Sequence, residues 1–258
     1  ERQMRALASA GWRSLPLAEF AARVAAPGEA PAASGGREFL LTFDDGYADL
    51  ATHAYPVLAE LGFTATTFLI TDFVGRTNTW DARYTWRRLV HLGWDAVTAW
   101  GARGFDFASH GATHRRLTWL DETAIADELT RSRETLVRHL GPAAGRAVAY
   151  PFGAVDARVL HLAADAGYEL GFGGVRGTGD PYALPRVPVY VWDAGRLPLG
   201  LRRDALGRAG RVVAHLANRC AVITTVLRAG SRGPTDPRRP PPPSPSRGSP
   251  CPRRSWLP

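Results

Sequence analysis

The sequence predicts an α/β protein whose strands are mostly parallel and form a sheet or barrel. Short apolar, β-branched runs alternate with segments of helical periodicity at least five times, as is typical of parallel α/β folds. Three predicted strands end in conspicuous residues: Asp44-Asp45, His110 with His114, and the turn at Phe152. Because the carboxyl ends of parallel strands lie on one side of such a fold, we expect a functional site there.

The first 37 residues are predicted to be a helical lead-in. Apolar residues recur at helical spacing over residues 2–9 and 17–26, which indicates two short helices. A stretch rich in Pro, Gly and Ala follows at residues 26–37 and predicts a loop.

The alternating part of the chain covers residues 38–200, which we expect to form the main domain. Its helices are predicted to stop at glycines, and Asp121 is a suitable N-cap for the longest of them. The predicted strands are residues 38–43, 64–70, 105–109, 147–150, 168–172 and 186–191. The predicted helices are residues 49–61, 84–91, 121–140 and 156–166.

The end of the chain differs in composition from the rest. Residues 201–258 hold 12 Arg and 2 Asp, whereas residues 1–200 hold 20 Arg and 22 Asp plus Glu. The formal charge of +8 therefore comes from the end of the chain, and we expect no nucleic-acid partner for the main domain. Residues 201–230 are predicted to be an extension. Residues 231–258, rich in Pro and Arg, are predicted to be a disordered tail.

Membrane and redox signals are few. No apolar stretch approaches the roughly 18 residues of a transmembrane helix, so no transmembrane segment is predicted. No signal peptide is visible in this chain. The two cysteines are Cys220 and Cys251, so no disulfide is expected within the first 219 residues.

The pair Asp44-Asp45 is the first candidate for chemistry. Two adjacent carboxylates at a strand end repel each other unless a cation neutralises them, and a metal ion is one such cation. In extended backbone, neighbouring side chains point in opposite directions, so one carboxylate can bind a metal while the other faces the substrate. The alternative is a solvated acidic turn that caps the following helix.

The second candidate is the pair His110 and His114. Two imidazoles four residues apart at a strand end can converge on one ion, and neutral imidazole is a common zinc ligand. On their own they could equally be surface histidines. Combined with a carboxylate they supply three protein ligands, which leaves positions for water and substrate, as in catalytic metal sites.

Three motifs together resemble the polysaccharide deacetylase family, also called the NodB-homology domain. They are Thr42-Phe-Asp-Asp-Gly46, Ser109-His-Gly-Ala-Thr-His114 and Tyr150-Pro-Phe-Gly153, and residues 14–20 and 41–50 also match. The resemblance covers roughly residues 1–195. It implies an irregular (β/α) barrel of the NodB-homology type and a divalent metal ion, usually zinc.

The resemblance also implies roles for single residues. Asp44 would be the general base, and Asp45, His110 and His114 would be the metal ligands. A backbone N–H near Phe152 would stabilise the oxyanion. The reaction would be hydrolysis of N-acetyl groups on an amino-sugar polymer or oligomer, in the cell envelope or outside the cell, with a cytoplasmic location left open.

The sequence departs from the family pattern in three places. Ala149 stands where the third motif usually has an Arg that orients the catalytic Asp, and Arg186 is the candidate to replace it. The fourth motif, with its Asp-Trp pair, is not recognisable. The histidine of the fifth motif, which would be the general acid, is not evident, and His215 is the candidate for that role.

Aromatic residues near the motifs are candidates for stacking on sugar rings. Tyr47 follows the Asp pair and Trp119 lies five residues after His114, although most tryptophans serve packing. The other histidines, including His91, are expected to be surface or partly buried residues and not ligands.

Two alternative functions remain open at this point. The same acyl-transfer chemistry could cleave an O-acetyl ester or another amide. The departures from the motifs also permit a carbohydrate-binding protein whose active site is catalytically weak.

Overall fold

The computed structural model of the protein describes residues 1–26, 37–79, 89–173 and 179–189. Its main element is a five-stranded, wholly parallel sheet in which the strands follow one another in chain order. These strands are β3 (Thr42–Phe43), β4 (Thr66–Leu69), β5 (Asp106–Ser109), β6 (Ala147–Ala149) and β7 (Leu170–Phe172). A separate two-stranded parallel sheet joins β1 (Arg13–Ser14) to β2 (Glu38–Phe39).

Helices connect the strands and cover the sheet. They are α1 (Arg2–Ser9), α2 (Leu17–Ala25), α3 (Tyr55–Glu60), α4 (Trp94–Gly101), α5 (Glu122–Leu140) and α6 (Ala157–Asp165). Asp121 caps α5 by accepting a hydrogen bond from the backbone N–H of Ala124, as its position in the sequence predicts. No helix in the described ranges is both long and apolar enough to cross a bilayer.

The core lies on both faces of the five-stranded sheet. Strands β4, β6 and β7 are buried at every residue, and β5 at all but its first, which is typical of parallel sheets covered on both sides. The sheet is curled into a half-barrel with helices around it, so the predicted α/β fold with mostly parallel strands is confirmed. The proposed domain boundaries stay predictions.

The predicted strand over residues 38–43 is two strands that pair with different partners. Strand β2 pairs with β1, whereas β3 pairs with β4 in the main sheet. Leu40 and Leu41 form the step between the two sheets. An apolar run does not reveal where a strand changes its partner, because both halves are equally able to pair.

The predicted helix over residues 49–61 has an irregular start. Residues Leu50–Ala54 form a π-helical turn, and the α-helix α3 begins only at Tyr55. Pro56 has no N–H to donate to the carbonyl of Thr52, so the regular α-helical bond is missing at this place and a wider turn accommodates it.

The segment after the second strand differs from its prediction in two ways. Residues 84–88 of the predicted helix 84–91 lie outside the described residues, and the described end, residues 89–91, is extended and not helical. Val90 bridges Thr77 and His91 bridges Tyr47, both in antiparallel fashion. Helix α4, at Trp94–Gly101, was not predicted.

The predicted strand over residues 186–191 is also wrong in its described part. Residues 185–189 have no regular secondary structure, and only Leu184 makes a parallel bridge to Phe172 of β7. Pro185 and Pro188 flank Arg186 and remove two backbone donors, which explains why the strand ladder does not continue. Residues 190 and 191 lie outside the described ranges.

Candidate active site

The turn after β3 sends the side chains of Asp44 and Asp45 in different directions. Asp45 has a left-handed backbone with φ of 69°, and Gly46 follows with φ of 70°. A Cβ atom on Gly46 would collide with Cδ2 of the buried Leu69, and the positive φ also favours glycine here. The carboxylate of Asp45 faces two histidines, and that of Asp44 faces Arg186.

His110 and His114 lie on the loop that follows β5. The Nε2 atoms of His110 and His114 are 3.4 Å and 3.5 Å from Oδ1 of Asp45. All three potential ligand atoms lie within 4.8 Å of one another. Both histidines are buried, with 2% and 8% of their surface exposed. The structure therefore brings together the three residues that the sequence predicts as metal ligands.

The orientation of His110 leaves one ring nitrogen for a ligand role. Its Nδ1–H donates a 2.7 Å hydrogen bond to the carbonyl oxygen of Ala149, so the lone pair is on Nε2, the atom that faces Asp45. Burial lowers the pKa of His110 below its ordinary value, although the nearby Asp44 charge raises it. The imidazole is therefore neutral at neutral pH, the form that binds metals.

The donor set fits a divalent metal ion. Two imidazole nitrogens and one carboxylate oxygen converge, with one His tautomer fixed by a backbone carbonyl, as in metal-binding histidines. Such nitrogen and oxygen donors suit zinc and several other divalent ions. These residues can hold a metal at the end of β5, beside the carboxylate of Asp44.

Arg186 makes a bidentate ion pair with Asp44. Its Nη1 and Nη2 atoms lie 2.6 Å and 2.8 Å from the two carboxylate oxygens. Burial raises the pKa of Asp44, but the charge and the hydrogen bonds of Arg186 outweigh it, so the pKa lies well below its ordinary value. Arg186 thus makes the contact with Asp44 for which Ala149, in the third motif, has no suitable side chain.

Phe152 lies next to the histidines. It belongs to the 3-10 turn Pro151–Gly153 after β6, and its ring centroid is 4.8 Å from that of His114. Its φ of 62° is left-handed. The backbone that the sequence predicts as an oxyanion donor therefore lies on a turn whose aromatic side chain contacts a predicted metal ligand.

Backbone strain in the described residues is concentrated at this site. The non-glycine residues with positive φ in those ranges are Asp45, His114 and Phe152. A positive φ is uncommon for residues other than glycine, although Asp and His adopt it more readily than Phe, and it persists where surrounding contacts enforce it, often at functional sites. All three strained residues belong to the motifs that the sequence singles out.

The predicted sugar-contacting residues have different surroundings. The hydroxyl of Tyr47 accepts a 2.8 Å hydrogen bond from Asn78, and its ring stacks on His91 with centroids 4.9 Å apart. Trp119 is the last residue of a 3-10 turn and is 53% exposed. The guanidinium of Arg116 lies over its ring, 5.2 Å from the ring centroid. His215, the predicted general acid, lies outside the described residues.

Sequence reasoning missed two residues that support the ligands. His91 is buried and its Nδ1–H donates a 2.8 Å hydrogen bond to the carbonyl of Asp45, which stabilises the strained turn. Glu128 is buried on α5 and accepts hydrogen bonds from the loop between the two histidines. Glu128 had a signal in the sequence, because it shares the core-facing side of the helix with Ile125, Leu129 and Leu136. His91 had none.

Comparison with known proteins gives a family match. A family model described as polysaccharide deacetylase matches residues 32–171. The chain is 28% identical over 169 residues to YxkH of Bacillus subtilis, a protein provisionally assigned as a polysaccharide deacetylase. It is 27% identical over 166 residues to the poly-β-1,6-N-acetyl-D-glucosamine N-deacetylase of Staphylococcus epidermidis. These matches cover 65% and 59% of this chain, and the chain spans about half of each relative, 54% and 55%.

Solved structures resemble the fold over most of the chain. IcaB from Ammonifex degensii superposes with a TM-score of 0.62 and 25% identity, covering 74% of this chain and 83% of that one. The Streptococcus pyogenes deacetylase PplD, solved in complex with acetate, gives a TM-score of 0.63 at 24% identity, covering 72% and 77%.

Proposed function

The chain belongs to the polysaccharide deacetylase family. We propose that it is a metal-dependent hydrolase that removes N-acetyl groups from N-acetylhexosamine polymers or oligomers. The observation that carries the proposal is the convergence of Asp45, His110 and His114, with the Arg-paired carboxylate of Asp44 beside them. This arrangement supports the assignment of both a metal site and an ionised base.

The proposed substrate class follows from a relative. The Staphylococcus epidermidis protein of 27% identity is named for the removal of acetyl groups from poly-β-1,6-N-acetyl-D-glucosamine. We propose a polymer or oligomer of acetylated amino sugars for this chain as well. Polymers of this kind are cell-envelope or secreted material, so the proposed site of action is the cell envelope or the space outside it.

Asp45, His110 and His114 are the proposed metal ligands, and zinc is the proposed ion. Bound there, a divalent ion would lower the pKa of a water molecule and polarise the acetamide carbonyl. The hydrogen bond from His110 to Ala149 and that from His91 to the carbonyl of Asp45 hold two of the ligands in place. These contacts orient the donors before any ion binds.

Asp44 is the proposed general base. Its ion pair with Arg186 keeps the carboxylate ionised and fixes its orientation. Asp44 accepts a proton from the attacking water as the water oxygen bonds to the carbonyl carbon. The C–N bond then breaks, the nitrogen gains a proton, and acetate and a free amine are released. His215 is the proposed source of that last proton.

The remaining predicted residues bind the substrate in this proposal. The backbone N–H of Phe152 donates to the developing oxyanion, an interaction supported by the position of its turn against His114. Trp119, which is exposed, and the face of Tyr47 opposite the stacked His91 are the proposed surfaces on which sugar rings stack.

The alternatives differ in how well the geometry supports them. An O-acetyl ester could be attacked by the same groups, so the substrate has to be tested directly. A catalytically weak carbohydrate-binding protein is less well supported, because the Arg that is missing at position 149 has a counterpart in Arg186, paired with Asp44.

The test is acetate release from N-acetylglucosamine oligomers and from acetylated xylan, each with and without a chelator. We expect acetate release from the amino-sugar oligomers. The chelator should stop this release, and added zinc should restore it. Release from acetylated xylan alone would favour the esterase alternative. Binding of the oligomers without any acetate release would favour the binding protein.

A further inference from the structure

The loop between the two proposed ligand histidines is held by a single buried carboxylate. Oε2 of Glu128, on α5, accepts hydrogen bonds from the backbone N–H groups of Ala112 at 3.0 Å and Thr113 at 2.9 Å. Its other oxygen accepts a hydrogen bond from the hydroxyl of Thr113. Glu128 is 2% exposed, so these interactions take place away from solvent.

The loop is shaped to receive this carboxylate. Gly111 has a φ of 78°, and a Cβ atom there would lie 3.4 Å from Oε2 of Glu128. Two successive N–H groups that point to one side of a loop form a concave anion-binding site, which the carboxylate fills. The loop and the side chain of Glu128 therefore form one unit that spans from His110 to His114.

The buried face of α5 around Glu128 is mostly apolar. It carries Ile125, Leu129 and Leu136, all fully buried, and one small polar residue, Ser132. An ionised carboxylate is costly at such a position unless it is fully hydrogen-bonded, and an apolar residue would serve the packing of the helix at least as well. The contacts of this carboxylate, with residues 112 and 113, lie between the two histidines.

The opposite side of the loop is fixed as well. The backbone N–H groups of Thr71 and Asp72 donate to the carbonyls of Gly111 and Ala112. Asp72 is in turn paired with Arg131, one turn after Glu128 on α5. Helix α5 thus reaches the histidine loop from two sides, directly through Glu128 and indirectly through Arg131.

We propose that Glu128 is a positioning residue of the metal site. Its carboxylate fixes the loop so that the Nε2 atoms of His110 and His114 both face Oδ1 of Asp45, and it thereby sets the affinity for the divalent ion. The inference rests on the proposed function, because it assumes that these three residues bind a metal.

Substitutions of Glu128 separate geometry from charge. Glu128→Gln can still accept both backbone N–H groups through Oε1 and can donate to Thr113 through Nε2, so the loop keeps its shape. Glu128→Asp keeps the charge but is one methylene too short for the same contacts. Glu128→Ala removes them all. Loss of a group that orients a metal ligand typically lowers metal affinity about 10- to 100-fold.

The experiment is a titration of the metal-free protein with Co²⁺, followed by its absorption spectrum and by competition with a chelator. We expect Glu128→Gln to bind within a few-fold of the wild type, and Glu128→Asp and Glu128→Ala to bind about 10- to 100-fold more weakly with altered spectra. Leu136→Ala, two turns along the same helix, is the matched control. It should lower the melting temperature but leave the affinity and the spectrum of the folded protein unchanged.

Three results of this titration would overturn the positioning role of Glu128. Wild-type affinity and spectrum in both Glu128→Asp and Glu128→Gln would overturn it, even if Glu128→Ala does not fold. Equal weakening in Leu136→Ala would also overturn it, because the effect would then reflect general loss of stability. A well-folded wild type that binds no Co²⁺ would overturn the proposed function together with this inference.

Discussion

Asp44 and Asp45 are adjacent in sequence, yet their carboxylates have different partners. The left-handed backbone of Asp45 turns its side chain to the two histidines, while Asp44 remains paired with Arg186. In the proposed function this separation assigns one carboxylate to the metal and the other to the attacking water.

The separation of roles gives a prediction for Asp44→Asn. We expect the variant to keep its metal, because Asp45, His110 and His114 are intact, and to lose about 10²- to 10⁴-fold in the rate of acetate release, because the base is gone. Metal content and initial rates measured on the same sample check this. A rate near that of the wild type would exclude Asp44 as the base.

Arg186 leads to a second prediction at the same scale. Both Nη atoms contact Asp44, a geometry that lysine cannot reproduce with its single ammonium. We expect kcat to fall about 10- to 100-fold in Arg186→Ala and by less in Arg186→Lys, with the metal content unchanged. If both variants turn over like the wild type, the orienting role is wrong.

Residues that can be predicted from sequence here are those within local motifs. Asp45, His110 and His114 stand out because a carboxylate pair and a spaced histidine pair follow predicted strands. Arg186 was identified only as a substitute for a missing family residue. His91 reaches the site through a bridge to Tyr47 from 44 positions away, and no local pattern indicates such a contact.

Among the secondary-structure elements, helix α2 is linked by ion pairs to the two-stranded sheet formed by β1 and β2. Glu19 on α2 binds Arg13 and Arg23, and both arginines also bind Glu38 of β2. These contacts join the start of the chain to the strand that leads into the main sheet.

The ion pairs of Glu19 predict a pH-dependent contribution to stability. Its hydrogen bond with Arg13, and then that with Arg23, lower the pKa of Glu19 to about 2, although burial opposes this. A carboxylate with a lowered folded-state pKa stabilises the fold above its ordinary pKa of about 4.3, and the stabilisation disappears as the pH falls towards 2.

Glu19→Gln should therefore be less stable than the wild type at pH 7, and the difference should shrink between pH 4.5 and pH 2.5. Denaturant unfolding across this range measures it. Glu60→Gln is the control, because the ion pair of Glu60 with Arg5 is well exposed and should contribute little. A difference that is constant with pH would contradict the assignment.

The hydrophobic periodicity of the sequence predicts the long helices and the buried strands. It does not predict at which residues the pairing of two strands begins or ends. Helix α5 matches its predicted range because its cap and apolar face agree. The strand expected at residues 186–191 was wrong in its described part because Pro185 and Pro188 flank its start. The break between β2 and β3 depends on a change of partner, which is a tertiary property.

At the scale of the whole molecule, charge and function are separated along the chain. Apart from His215, the proposed site residues lie between Asp44 and Arg186, whereas 12 of the 32 arginines follow residue 200. In the proposed domain organisation the Pro- and Arg-rich tail contributes no group to the reaction.

A chain that ends at residue 230 should therefore release acetate at the rate of the full chain. Any salt-sensitive association of the full chain with nucleic acid should be lost in the shortened one, because it would depend on the arginines of the tail. Acetate assays and binding titrations at two salt concentrations test both statements. A large loss of activity on shortening would assign the tail a role in the reaction.

In the proposed function Asp45, His110 and His114 hold a catalytic divalent ion, and the metal content of the folded protein is the direct test of this site. Elemental analysis of the folded wild type and of His110→Ala is the measurement. We expect about one divalent ion per chain in the wild type and little or none in the variant, because three ligands are the minimum of such a site. Full retention of metal in His110→Ala, or none in the well-folded wild type, would contradict the claim.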